Sequence, residues 1–228
     1  MREVVLDTET TGFDPATGDR IVEIGCVELI DHLPTGRSFQ AYLNPERLVP
    51  IETTRVHGLT DEFLADKPLF AHIVEELLEF LGDAPLVIHN ASFDMKFVNS
   101  ELHRTGRKPI PHARAIDTIE IAKAKIPGAR YSLDELCKRF GIDLSARTKH
   151  GALLDAELTA RVYLELVGGR QTHLKLAPVD GADLVEEIGA IARLRPRPLL
   201  SLVSETESEA HARFVEKELG DSPVWRRS

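Results

Sequence analysis

Six side chains of this 228-residue chain have the types and the order to do chemistry: Asp7, Glu9, Asp94, Asp117, His150 and Asp155. Asp7 and Glu9 follow the apolar run Val4-Val5-Leu6 and precede a Thr/Gly-rich turn, so they end a buried strand at residue 9 or 10. Residues two apart share a strand face, and both carboxylates point the same way. They repel unless a positive charge lies between them, and a divalent metal with oxygen ligands supplies one. The alternative is a strand with one solvated face; Asp-x-Glu alone does not choose. Asp94 follows another short apolar strand, where open α/β sheets gather their sites, although a carboxylate there also simply suits a helix N-terminus. Asp117 reads equally well as an ordinary N-cap. His150 and Asp155 lie five residues apart, about 500° of helix, so they do not share a face if both are helical. His150, just before Gly151, is placed instead as a loop residue that can swing towards a water held by metals, or as a plain solvated histidine. Asp155 follows Leu153-Leu154 and reads as a ligand or as a part-buried structural partner. The order favours chemistry: a carboxylate pair, a carboxylate, then His-x4-Asp on successive elements.

The elements that must position these groups follow from periodicity. Residues 20–30 (RIVEIGCVELI) and 36–43 (GRSFQAYL) make a second and third strand, with short connections that favour an antiparallel meander. Residues 50–60 read as an irregular polar segment. Ile73, Leu77, Leu78 and Leu81 recur at helical spacing and Gly82 ends their helix. Residues 85–89 (PLVIH) have the length of a parallel strand after a crossover. Ser92 is the expected N-cap of the next helix. Residues 113–116 give a last strand, Asp117 caps a helix ending before Pro127, and Ser132-x-x-Glu135 forms a capping box ahead of Gly141. Residues 152–167 form a long helix after the basic segment Arg147-Thr148-Lys149-His150. The fold class is α/β, with a mixed sheet of about five strands flanked by helices.

Composition sets the bounds. The chain is 43% hydrophobic and 29% charged, with a formal net charge of −9. Residues 1–169 carry 19 basic and 27 acidic side chains, residues 170–228 carry 9 and 10. An acidic body argues against holding nucleic acid by broad phosphate attraction, but not against an enzyme that meets phosphate through bound metal. Cys26 and Cys137 fit no metal spacing and read as reduced packing thiols. No apolar run approaches the roughly 20 residues of a membrane span and no signal pattern opens the chain, so the protein is expected in the cytoplasm.

The stretches VVLDTETTG (4–12), LVIHNASFD (86–94), Asp117 and HGALLDAELTARVYL (150–164) together resemble the DEDDh family of 3′→5′ exonucleases, on the ribonuclease H-like fold. More narrowly, RIVEIGCVEL, PIETTRVHGLTDEFL and the closing PVWRR resemble the family of proofreading (epsilon) subunits of bacterial DNA polymerase III. The resemblance implies that Asp7, Glu9, Asp94 and Asp155 hold two divalent ions, Mg²⁺ or Mn²⁺, with Glu9 bridging or close to the attacking water. His150 is then the general base and Asp117 supports the ligands from behind. Thr8, Thr11, Glu52, Val56, His57 and Phe93 line the pocket for the terminal nucleotide. The implied reaction is hydrolysis of the last phosphodiester of a DNA strand, releasing a 5′-mononucleotide from a frayed, mispaired 3′ end.

Three segments follow: an exonuclease domain (1–174), a linker (175–204) and a polymerase-docking tail (205–228). Gln171, Leu174 and Leu176 resemble the short motif with which polymerase subunits engage the sliding clamp; a plain exit from the last helix is the alternative. Residues 205–219 suit a helix, and Phe214 and Trp225 are the expected anchors on the polymerase (alpha) subunit. A small theta-like subunit is a further partner implied by the resemblance. Two other readings compete: an RNA-trimming exonuclease of the same family, and a non-catalytic adaptor, which the intact acidic set disfavours.

Overall fold

A computed structural model describes residues 1–145, 147–168, 204–215 and 217. β1 (Arg2–Thr10), β2 (Ile21–Ile30) and β3 (Leu33–Tyr42) form the antiparallel meander, and β4 (Leu86–Ile88) and β5 (Ala115–Asp117) complete a five-stranded sheet in the order β3-β2-β1-β4-β5. β4 runs parallel to β1, and β5 parallel to β4. The mixed sheet is the one expected from the sequence. It puts the carboxyl ends of β1 and β4 side by side at its centre.

Alternation along β1 decides which helix meets which residue. Val4 and Leu6 pack with α3 (Phe70–Leu81) and α4 (Ala91–Arg104), through Ile73, Leu77, Met95 and Val98. Val5 faces the other way, onto α7 (Ala152–Val167), where Ala156, Ala160 and Tyr163 cover it together with Val27 and Val87. Asp7 and Glu9 continue the Val5 face. The outer side of α7 packs through Leu158, Val162 and Leu166 on α5 (Thr118–Lys125) and α6 (Leu133–Phe140). Both cysteines are buried and unbonded, as expected of packing thiols.

Three local expectations are corrected. Residues 51–57 are a helix, α1 (Ile51–His57), not irregular chain; α2 (Asp61–Leu64) follows. Pro50 opens α1, and Gly58 closes it with φ +81°. His57 is its only buried residue, so no apolar period betrays it. The N-cap of α4 is Asn90, not Ser92. Asp117 on the neighbouring strand accepts from the N–H groups of Asn90 and Ala91, and so starts the helix two residues early. The box at α6 is half made: Ser132 accepts from the Glu135 N–H, while the Glu135 carboxylate pairs with Lys138.

In the second compact unit, Lys175–Ser228, the described helix is α8 (Glu205–Phe214), with Ser204 and Glu207 forming a reciprocal capping box. The expected clamp motif (Gln171, Leu174, Leu176), most of the linker (175–203), and Trp225 lie outside the described residues. Among the described residues no helix is long and apolar enough to cross a membrane.

Candidate active site

The site forms where β1, β4, α4 and α7 begin or end together. β1 bulges between Glu9 and Thr10, which turns the strand end away from its partner. Asp7 stands opposite Gly25 on β2, and Glu9 opposite Glu23. Gly25 has no side chain for a reason: a Cβ there would lie 2.3 Å from the Leu153 backbone nitrogen. The missing side chain lets the first turn of α7, and Asp155 with it, approach the Asp7 face. On the other face, Asp94 in the first turn of α4 accepts from the Thr8 N–H (2.9 Å) and the Thr8 hydroxyl (2.7 Å).

Asp94, Asp155 and Glu9 are buried, and Asp7 is half-buried. Burial pushes the Asp7 carboxyl well above its ordinary value, and the charges of Asp94, Asp155 and Glu9 push it further. Burial first, then Asp155, Glu23 and Asp94, raise Glu9 to about 8. Burial raises Asp94 to about 7 against the two bonds from Thr8. Burial acts on Asp155 as well, but there the hydrogen bonds from Arg147, with the His150 ring close by, win, and its carboxyl lies below the ordinary value. Oxygen donors this crowded, with too little positive charge among them, fit a hard divalent cation. Glu9, His150 and Asp155 each offer a donor atom, all within 4.8 Å of one another. Asp7 and Asp94 complete the acidic surround by charge rather than by that spacing.

His150 lies outside α7, as expected, with its Nδ1 3.3 Å from Asp155 Oδ2. Its N–H donates to the Val56 carbonyl, and Lys149 reaches the Arg55 carbonyl. Those bonds bring the end of α1 to the site. Val56 is exposed, as is Glu52; His57 is buried, and burial with the nearby Lys149 and His150 lowers it to about 4. Phe93 packs against Phe97, the two rings tilted by 47°. The Thr8 hydroxyl is committed to Asp94, and the Thr11 hydroxyl, fully buried, to Asp19. Asp117 caps α5 through the Ile119 N–H (2.8 Å) as well as bonding the start of α4.

Asp7, His150 and Asp155 open on a cavity of about 320 Å³ that His89, Asn90, Asp134 and Arg147 also line. His89 bonds the Thr118 hydroxyl at 2.8 Å. Sequence reasoning passed over His89, Gly25 and Arg147. His89 had a signal, the carboxyl end of a parallel strand, and Arg147 had its place in the basic segment before His150. Gly25 had none.

Residues 4–163 match the exonuclease family known by the name RNase T. The chain belongs to that family. This exonuclease is therefore a divalent-metal-dependent 3′→5′ hydrolase. It is 54% identical over 179 residues to the DNA polymerase III subunit epsilon of Rickettsia conorii, spanning 77% of this chain and 78% of that one. Against the subunit of the same name in Escherichia coli K12 it is 41% identical over 237 residues, 99% of this chain and 97% of the other. Among solved structures, Exonuclease X in complex with 5′ overhanging duplex DNA is 26% identical, with a TM-score of 0.56 over 72% of this chain and 90% of that one. The rAMP-bound nuclease domain of 3′hExo, a DEDDh family member, shares the fold at 22% identity and a TM-score of 0.63, over 73% and 91% of the two chains.

Proposed function

We propose that this exonuclease is the proofreading subunit of a replicative DNA polymerase III, removing mispaired 3′-terminal nucleotides as 5′-mononucleotides. The observation that carries the reading is a cluster of four mutually repelling carboxylates, Asp7, Glu9, Asp94 and Asp155, beside a cavity that Asp7, Asp155 and the accessible His150 line. His150 is half-exposed and next to Asp155, where it can take the proton from an attacking water. Asp7, Glu9, Asp94 and Asp155 would hold two Mg²⁺ or Mn²⁺ ions, which when bound supply the charge that activates the water and stabilises the leaving 3′ oxygen. Thr8, Thr11, Glu52, Val56, His57 and Phe93 would border the terminal nucleotide; of these, Val56 and Glu52 have the exposure for direct contact. A mispaired end reaches such a site more cheaply than a paired one, because less base pairing is lost.

Similarity to epsilon subunits over nearly the whole chain supports association with the polymerase. Residues 1–174 would be the nuclease, 175–204 a spacer and 205–228 the tail that docks on the alpha subunit in the cytoplasm, with Phe214 and Trp225 as anchors. Phe214 is 57% exposed on α8, an apolar group free for a partner. Gln171, Leu174 and Leu176 would engage the sliding clamp, and a theta-like subunit would be a third protein partner. Tethering delivers the 3′ end to an acidic enzyme without a new catalytic contact.

The test is nucleotide release from paired and mispaired 3′ ends, DNA and RNA side by side, with and without EDTA. Faster release from mispaired DNA, lost in EDTA, is expected; faster release from RNA points to an RNA-trimming enzyme. A chain ending at residue 180 should keep activity on single-stranded DNA yet not co-elute with the alpha subunit.

A further inference from the structure

Arg147, on the segment between α6 and α7, reaches into the site and is almost wholly enclosed, with 8% of its side chain exposed. Its Nε donates to Asp155 Oδ1 and its Nη2 to Asp155 Oδ2, both at 2.6 Å. This is a fork-to-fork pair, the strongest form of the arginine–carboxylate contact. Nη1 is anchored from behind by Asp134, in the first turn of α6. Nη2 also lies 2.8 Å from His150 Nδ1. A guanidinium only donates, so that nitrogen of His150 accepts and its lone pair is engaged.

We propose that Arg147 is a built-in counter-cation for Asp155, one that competes with divalent cations for the same two oxygens and thereby sets the affinity of the site for them. The inference rests on the reading that Asp155 is a cation ligand. A carboxylate whose two oxygens both face a guanidinium fork has no inward lone pair left for a second cation. A cation that takes Asp155 from the side of the fork displaces Arg147, and in doing so also frees His150 Nδ1. Asp134, half-exposed at the rim, keeps the released guanidinium nearby. One side chain thus couples the ligand Asp155 to the base His150.

The experiment is Mn²⁺ titration of the full chain without nucleic acid, followed by the electron paramagnetic resonance of free Mn²⁺, for wild type, Arg147→Gln, Arg147→Lys and Asp155→Asn. Circular dichroism confirms folding of each. Arg147→Gln is expected to bind Mn²⁺ about tenfold more tightly or better, since two charge-assisted hydrogen bonds to Asp155 no longer compete with the ion. Arg147→Lys keeps the charge but not the fork, and is expected to fall between Gln and wild type; it also serves if the Gln variant does not fold. Affinities in both variants equal to or below the wild type overturn the proposal. A wild type that binds no Mn²⁺, or Asp155→Asn binding like the wild type, overturns instead the assignment of Asp155 as a ligand.

Discussion

Thr8 and Asp94 are 86 residues apart and joined twice: the backbone N–H and the hydroxyl of Thr8 both donate to one oxygen of Asp94. The bond pair locks the first turn of α4 onto the end of β1 and leaves the second Asp94 oxygen to the site. Thr8→Val removes one donor from a buried carboxylate, at a cost of about 1–3 kcal/mol. Its kcat/KM on single-stranded DNA should fall about tenfold or more, and Thr8→Ser should restore most of it. If Val and Ser behave alike, the hydroxyl does not position Asp94.

His150 has two roles open to it chemically, base or ligand, since its ring lies among the same donor atoms as Glu9 and Asp155. As a base, its loss should lower turnover by roughly 10²–10⁴-fold and leave Mn²⁺ affinity near the wild type. Measuring both on His150→Ala separates the cases, because a ligand role predicts Mn²⁺ binding as weak as in Asp155→Asn.

Gly25 touches no substrate, yet Gly25→Ala should damage the enzyme. The added Cβ meets the backbone of Ala152 and Leu153 at 2.3–2.5 Å, atoms that no rotamer can move aside. α7 must shift and carry Asp155 with it. Misplacement of about 1 Å can cost about a hundredfold in rate, and overpacking costs about 1–3 kcal/mol. A normal melting temperature with normal kcat/KM would contradict the close approach of α7 to β2.

Glu9 gives the protein a pH-dependent weakness when divalent ions are chelated. Its carboxyl is raised from an ordinary 4.5 to about 8 in the fold. Between those values the folded chain keeps a proton that the unfolded chain has lost. Its contribution to stability is full below the lower value and is lost as pH rises through the upper one. In excess EDTA, Glu9→Gln should therefore gain on the wild type in melting temperature from about pH 5 to about pH 9. A difference between the two that stays flat over this range would show that Glu9 ionises normally.

Much of this was legible in the chain itself. The apolar run Val4-Val5-Leu6 marked a central strand, and parity put Asp7 and Glu9 on one of its faces, because side-chain direction in a strand depends only on parity. The period of Ile73, Leu77 and Leu81, the stop at Gly82 and the caps at Asp117 and Ser132 are local in the same sense: each element carries its own signal within a turn or two. The helix at 51–57 escaped because it buries His57 alone and so shows no apolar period. Ser92 was displaced as a cap because the competing carboxylate, Asp117, comes from another strand. Only the tertiary structure could decide that Gly25 makes room for Leu153, that Thr8 holds Asp94, and that Arg147 grips Asp155 and His150 at once. The charges belong to the same class: a carboxyl's pKa is set by burial and by neighbours that adjoin it only in the folded chain. Residue types and their order along the chain named the chemistry; the distances between Asp7, Glu9, Asp94, Asp155 and the enclosed Arg147 exist only once the strands and helices have packed.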